Sequence, residues 1–487
     1  MFKKIGLLFA CLVMFSCKST SDIGLKSDGI DYSETTLGTS GNFRVGVLLP
    51  LTGAVGKYGQ GLRNATLMAM EDVQNPNLVL QFYDTKGTES GARIAIENAL
   101  NNRSQLIIGP LMSTSVAAIT PKAISARVPV IAFSTSEDVL QENIYTLGLL
   151  IGEQTNRLIS YAARKGRERF ALLLPDNSTG IAVAKAAIRS AEKHEVKVAR
   201  IAFYEPNTTD FSKVLREMTD FDRRSNRVKN IKEYLKNLSS KGDETAGISL
   251  KRLEPHDSLG DVDFDAVIIP ENGPRLKSAL SMFGYYDVSA PQVKFLGTSV
   301  WESTALNNEY AAKGAWYTTL SRTHSAYFAK KYQDLFGEKP NSLYSLAYDA
   351  IALASALAKN KSSDMTGVIT NPDGYIGING VFRLFKNGSN EHSLDIIEIR
   401  TDKDMIIDIA SRKFDERNHE FDFSSREFVL REDFIAPVIT GKDAYAAQRL
   451  IFGEPLLPVH QPMTYISAED DKQITLDALA RLKIQIP

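Results

Sequence analysis

From Phe43 onward the chain alternates short apolar runs with segments of helical period, and this alternation restricts the fold more than any other feature. Arg44-Val-Gly-Val-Leu-Leu49 ends at Pro50 and reads as a buried strand. After a glycine-rich turn, Leu62, Ala65, Ala69 and Val73 recur at helical spacing. Strands over 78–83, 106–108 and 129–133 then alternate with helices over 90–100 and 113–124. The rhythm restarts with strands over 169–174, 196–203, 264–270 and 293–296, and helices over 181–191, 211–218 and 275–282. Alternation of this kind predicts parallel βαβ units with helices on both sheet faces, so the fold class is α/β with two doubly wound, Rossmann-like lobes.

Between Asp222 and Asp263 the alternation stops. Val228, Ile231, Leu235 and Leu238 form an apolar stripe on a helix. Residues 222–241 carry seven Lys/Arg against two Asp/Glu, and residues 242–263 carry six acidic residues against two basic ones. The segment 222–263 therefore reads as a charged helical insertion whose halves attract. Two readings are open, an arm that docks a partner and a hairpin packed on its own lobe. Further on, 327–336 and 345–358 read as helices. Gly380 to Phe385, Asn387-Gly388 and Leu394 to Ile399 read as a β-hairpin, because Asn-Gly supplies positive φ angles. The extension 413–487 is charged and aromatic, then broken by prolines, and closes on a helix started by a Ser467/Asp470 capping box. Its role is left open.

The first residues read as an export signal. Lys3 and Lys4 precede the apolar run Ile5–Ser16, which is short for a bilayer span. Met14-Phe-Ser-Cys17 follows the pattern of a bacterial lipoprotein signal, with Cys17 as the lipidated residue. Cys11 fits the local pattern but leaves an apolar region of only about five residues. Lys18 after the cysteine, where inner-membrane lipoproteins carry aspartate, points to the outer membrane. Residues 18–42 are rich in Ser, Thr, Gly and Asp and read as a disordered tether of roughly 25–30 Å average reach. The membrane is thus contacted through the lipid anchor only. Cys11 and Cys17 are the two cysteines of the chain, so the folded body has no thiol for a disulfide or a metal site. A net charge of -1 gives no basis for a nucleic-acid partner.

The motifs of common catalytic chemistry are incomplete. Gly56-Lys57 lacks the first glycine and the Ser/Thr of a P-loop. Gly59-Gln-Gly61 lacks the third glycine of a dinucleotide fingerprint, and Gly297-Thr-Ser-Val-Trp301 is no nucleophile elbow. The six histidines have no short-range metal spacing. The expectation is a binding protein and not an enzyme, with no cofactor and no metal.

Val45-Gly-Val-Leu-Leu-Pro-Leu-Thr-Gly53 with Gly59 and Gly61 resembles the opening of type I periplasmic binding proteins of the leucine-binding group. Ile107-Ile-Gly-Pro-Leu-Met-Ser113, Pro129-Val-Ile-Ala-Phe-Ser134, Thr209-Asp-Phe-Ser212 and Leu296-Gly-Thr298 continue the resemblance, in order, across residues 43–412. It implies two lobes joined by three crossovers, with lobe 1 near 43–147 and 318–372 and lobe 2 near 148–317 and 373–412. Asp263 to Pro270, Leu296 to Glu302, Gly314-Ala-Trp316, Ser345 to Ala352 and the charged insertion resemble one branch, the penicillin-binding protein activator lipoproteins. That branch implies a partner among the peptidoglycan synthases. The alternative is a solute receptor that hands an amino acid or a related small ligand to an ABC permease.

In doubly wound lobes, ligands bind beyond the carboxyl ends of the strands. Tyr58, Ser113, Ser134, Thr135 and Ser136 fall there in the first lobe. In the amino-acid receptors, matching positions cover the ligand with a ring and hold its carboxylate through hydroxyls and main-chain amides. Ser113 also reads as a plain helix cap and Tyr58 as packing between lobes. In leucine-type receptors an acid in the second lobe takes the ligand's ammonium group. Ser299 stands at that position here, Glu302 is shifted from it, and Glu271 on a neighbouring strand end is the available substitute. The missing acid and the insertion favour the activator reading, and the hydroxyl cluster favours the receptor.

Overall fold

The structure is a computed structural model, and it describes residues 36–37, 43–359, 364–414, 434–441, 443–453 and 468–486. The signal segment 1–17 with Cys17, and nearly all of 18–42, lie outside the described residues.

The first sheet contains β1 (Thr36–Leu37), β2 (Phe43–Leu49), β3 (Leu78–Asp84), β4 (Leu106–Ile108), β5 (Val130–Ala132) and β6 (Ile144–Thr146), in the order β1-β3-β2-β4-β5-β6. All its pairings are parallel except β1 with β3. Both faces are covered, as the apolar run of β2 requires. Val45, Val47 and Leu49 pack with Leu62, Ala65 and Ala69 of α1 (Gly56–Val73). Leu48 points the other way, into a core with Ala92, Ile96 and Ala99 of α2 (Glu89–Asn101) and Val116 and Ile119 of α3 (Ser113–Ala126). The strand at 36–37 departs from the expected tether, because the unpaired edge of β3 offers it main-chain hydrogen bonds.

After β6 the chain enters α4 (Ile151–Arg164), β7 (Arg169–Pro175), α5 (Ser178–Lys193), β8 (Lys197–Tyr204) and α6 (Ser212–Met218). The insertion forms α7 (Phe221–Ser240) and α8 (Glu244–Leu253), followed by β9 (Ala266–Ile268), α9 (Gly273–Tyr285), β10 (Lys294–Gly297) and β11 (Trp316–Leu320). The chain then returns to the first lobe with α10 (Arg322–Phe336), α11 (Ser342–Lys359), α12 (Met365–Ile369), β12 (Tyr375–Gly377), β13 (Gly380–Leu384) and β14 (Asn390–His392). It crosses once more into β15 (Leu394–Glu398), β16 (Met405–Asp408), β17 (Val438–Thr440), α13 (Ala444–Phe452) and α14 (Ala468–Arg481). The second sheet has the order β16-β15-β11-β10-β9-β7-β8-β17.

Two expectations change here. The hairpin around Asn387-Gly388 is real, but its second arm is β14 and not 394–399. Leu394–Glu398 instead pairs antiparallel with β11 in the second sheet. The last crossover thus falls at Ser393 and not at 373, because Tyr375, Phe382 and Leu384 bury against the first-lobe core. The extension also has a place. β17 adds in parallel to β8, and Ala447 and Ile451 of α13 join the core beneath α5. Helix α14 lies on the insertion, where Ala478, Leu479 and Ile484 bury with Val228, Leu235 and Leu253. The insertion is therefore a hairpin packed within its own chain. Its basic helix is neutralised from an unexpected side, with Arg223 and Arg227 on Asp471 of α14, while Arg224 donates to the carbonyls of Gly260 (2.8 Å) and Tyr286 (3.0 Å).

Candidate functional site

β6 and β11 both release the chain at their carboxyl ends into the other lobe, so the carboxyl edges of the two sheets face one another. The first-lobe side is built on tight backbone approaches. A Cβ on Gly59 would lie 2.0 Å from the Pro50 carbonyl oxygen, and one on Gly61 would enter the ring of Tyr344. These two glycines seat α1 against the strand end and against α11, which accounts for the motif without any phosphate. Asp84 organises the loop between, accepting from the amides of Leu51 (2.9 Å) and Lys86 (2.8 Å) and from the Thr52 hydroxyl (2.5 Å).

Tyr58 stands on the first turns of α1 with 45% of its surface exposed, so it is not consumed by packing between lobes. Ser113 is the first residue of α3. The cap position is Met112, which makes no side-chain cap, so Ser113 is not the capping residue. Ser134, Thr135 and Ser136 follow β5 on one loop. Ser134 is buried, and its hydroxyl accepts the Ser136 amide at 3.1 Å. Ser136 caps a short 3-10 turn through the Asp138 amide. Thr135 is exposed between them. Among the described residues the side-chain hydroxyls of Ser113 and Thr135 make no hydrogen bond, whereas those of Ser134 and Ser136 hold their own loop.

The second-lobe side differs from the expectation. Glu271 is buried at 6% exposure, and its carboxylate accepts from the Tyr204 hydroxyl (2.9 Å), the Asn272 amide (2.9 Å) and Arg275 (3.1 Å). Burial and this neighbouring carboxylate raise the Tyr204 phenol far above its ordinary range. Glu271 is thus held within its own chain by Arg275, the Tyr204 hydroxyl and the Asn272 amide. Glu302 accepts from Thr319 at 3.0 Å. Ser299 is half-buried, and its amide donates to Gln154 Oε1 of α4 at 2.8 Å. Sequence reasoning missed Gln154, whose polarity at a buried helical position was the available signal. Thr298, the end of the Leu296-Gly-Thr298 motif, is fully buried with no partner for its hydroxyl among the described residues.

The arrangement is the two-lobed fold of the type I periplasmic binding proteins. The sequence profile of a family described as "Periplasmic binding protein" matches residues 42–222. An uncharacterized protein of Rickettsia prowazekii is 21% identical over 176 residues, which are 36% of this chain and 47% of that protein, so the chain matches about half of the relative's length. The leucine binding protein LivK of Thermotoga maritima superposes with a TM-score of 0.52 at 18% identity, covering 76% of this chain and 98% of that one. LivJ of Streptococcus pneumoniae, solved with isoleucine, gives 0.53 at 15%, covering 75% and 99%. A solute binding protein of an ABC transporter from Rhodopseudomonas palustris, solved with 3,4-dihydroxybenzoic acid, gives 0.54 at 17%, covering 77% and 97%. At these identities the likeness is one of fold.

Proposed function

We propose that the protein is a periplasmic solute receptor whose cleft holds a small organic carboxylate and presents it to an ABC permease. One contrast supports this reading. Ser113 and Thr135 stand at the first-lobe strand ends suited to a carboxylate, while on the second lobe the acid at 271 is already ion-paired and position 299 is serine. A carboxylate near a helix N-terminus and hydroxyl groups is favoured, whereas a buried ammonium without a counter-ion is costly. The isoleucine complex and the dihydroxybenzoate complex show that neighbours of this fold take ligands with and without an amino group. The test is a thermal-shift series with benzoate, aliphatic monocarboxylates and the branched amino acids. Carboxylates that lack the amino group should stabilise the protein, and Thr135→Ala should remove the shift. Stabilisation by amino acids alone would overturn the assignment.

We further propose that the chain is exported to the periplasm and anchored to the outer membrane by a lipid on Cys17. Among the described residues no helix is long and apolar enough to cross a membrane. A second reading, a non-catalytic activator of a penicillin-binding protein, draws support from the three-helix unit of α7, α8 and α14 that stands on the second lobe. Retention of a peptidoglycan synthase by the whole protein, lost on removal of residues 221–253, would favour it.

A further inference from the structure

A cavity of about 610 Å³ lies between one face of α4, the end of α5, the β14–β15 crossover and residues 408–414. Its volume falls within the range of small-molecule sites, about 300–1,000 Å³. None of the strand-end residues Tyr58, Ser113, Thr135 and Ser299 lines it. Glu153, Asn156, Arg157, Ser160 and Arg164 recur at spacings of three and four, so a single face of α4 forms one wall. Glu153 and Arg164 stand eleven residues apart on that face, which separates an acidic end from a basic end by about 16 Å.

The acids of the first end are already compensated. Glu391 is bound to Arg383 at 2.6 Å. Glu137 accepts the Gly152 amide at 3.1 Å, in the first turn of α4. Glu153 accepts the His392 amide, and burial raises its pKa well above the ordinary carboxyl value, which favours its uncharged form.

The basic end is not balanced. Arg157 and Arg164 both donate to the same oxygen of Asp408, at 2.7 and 3.1 Å, so two guanidiniums share one carboxylate. Arg157 also donates to the Leu394 carbonyl and Arg164 to the Ser160 hydroxyl, yet Arg157 Nη1 and Arg164 Nε make no hydrogen bond among the described residues. Lys193 and Lys413 line the same cavity, and the Lys413 ammonium has no partner among the described residues. His194 reports the resulting field. Its ring meets Asn156 Oδ1 at 3.1 Å, and burial, then the charges of Lys193 and Arg164, lower its pKa to about 4.

We propose that this cavity binds a small phosphomonoester, its phosphate at the Arg157/Arg164 end and its apolar body against Leu140, Leu150 and Leu394. A phosphomonoester carries close to two negative charges and three strong acceptor oxygens, which suits guanidinium donors left over from a shared carboxylate. A single carboxylate would leave more of the excess positive charge unmatched. The site is separate from the cleft, so it stands or falls independently of the carboxylate reading.

The test is calorimetry on the whole protein with phenyl phosphate, phenol and inorganic phosphate. Phenyl phosphate should bind, and phenol, which lacks the charge, should bind at least about ten-fold more weakly. Inorganic phosphate, which lacks the apolar body, should also bind about ten-fold more weakly. Arg164 and Lys413 are exposed, so reversing their charge leaves the core untouched. Arg164→Glu and Lys413→Glu should each weaken phenyl phosphate about ten-fold or more, and Thr135→Ala should leave it unaffected. No binding of phenyl phosphate, equal binding of phenol or of inorganic phosphate, an unchanged affinity in either charge-reversed variant, or loss of binding in Thr135→Ala would each overturn the proposal. The probe comparison on the wild-type protein decides the matter even if a variant does not fold.

Discussion

Asp349 shows what one buried carboxyl does to this protein. It is 4% exposed on α11, it accepts the Ile378 amide at 2.8 Å, and burial pushes its pKa from 3.8 up to about 7. Between those values the folded chain keeps a proton that the unfolded chain has released, so Asp349 makes stability fall as pH rises. Asp349→Asn removes that slope while keeping an acceptor for Ile378. His194 and His392, both lowered to about 4 by burial, act oppositely, losing stability as pH falls below about 6.5. The difference between variant and wild type therefore isolates Asp349. Melting curves between about pH 5 and pH 7 should show the variant gaining on the wild type as pH rises, and parallel profiles would contradict the assignment. Residues of this kind were invisible beforehand, since nothing local distinguishes Asp349 from a solvated helix carboxylate. The strand-end positions of Ser113 and Thr135 were legible because strand and helix periods place strand ends, and that of Ser299 came from the resemblance, whereas the engagement of Glu271 depends on Tyr204, 67 residues away.

Elements with a clean period were read within a few residues of their observed bounds, and the exceptions have physical reasons. The three-residue strands β6 and β17 were not read as strands from the sequence. The hairpin at 387–388 was found from its turn, but the partner of its first strand was misassigned because β15 belongs to another sheet. The apolar stripe of α7 was legible, and its cover was not, since α14 arrives from more than 200 residues downstream. Leu235 is fully buried in that contact, so Leu235→Ala should destabilise the unit by about 2–5 kcal/mol. Amide exchange should then accelerate in α7, α8 and α14 together while the two sheets stay protected. Asp471→Asn leaves Arg227, 7% exposed, without its counter-ion and should loosen the same three helices by about 1–3 kcal/mol, discounted because Asp471 is one-third exposed. Faster exchange confined to α14 would mean that the helix does not hold the hairpin.

At the scale of the whole molecule, three crossovers at 147–150, 321 and 393 join two sheets through short segments, and among the described residues the extension adds β17 and α13 to the second lobe. Such a molecule responds to a ligand that contacts both strand-end clusters by favouring the closed arrangement, and only by its differential affinity for it. The two-lobed class was legible from alternation alone, whereas ligand chemistry was not, because it turns on which second-lobe groups are already paired. The most direct measurement is thermal denaturation of the protein with benzoate and with leucine, each at increasing concentration. The account predicts stabilisation by the carboxylate, reaching about 2.7 kcal/mol at one hundred times its dissociation constant, and loss of that gain in Thr135→Ala. Stabilisation by leucine with none by benzoate or other simple carboxylates would contradict it.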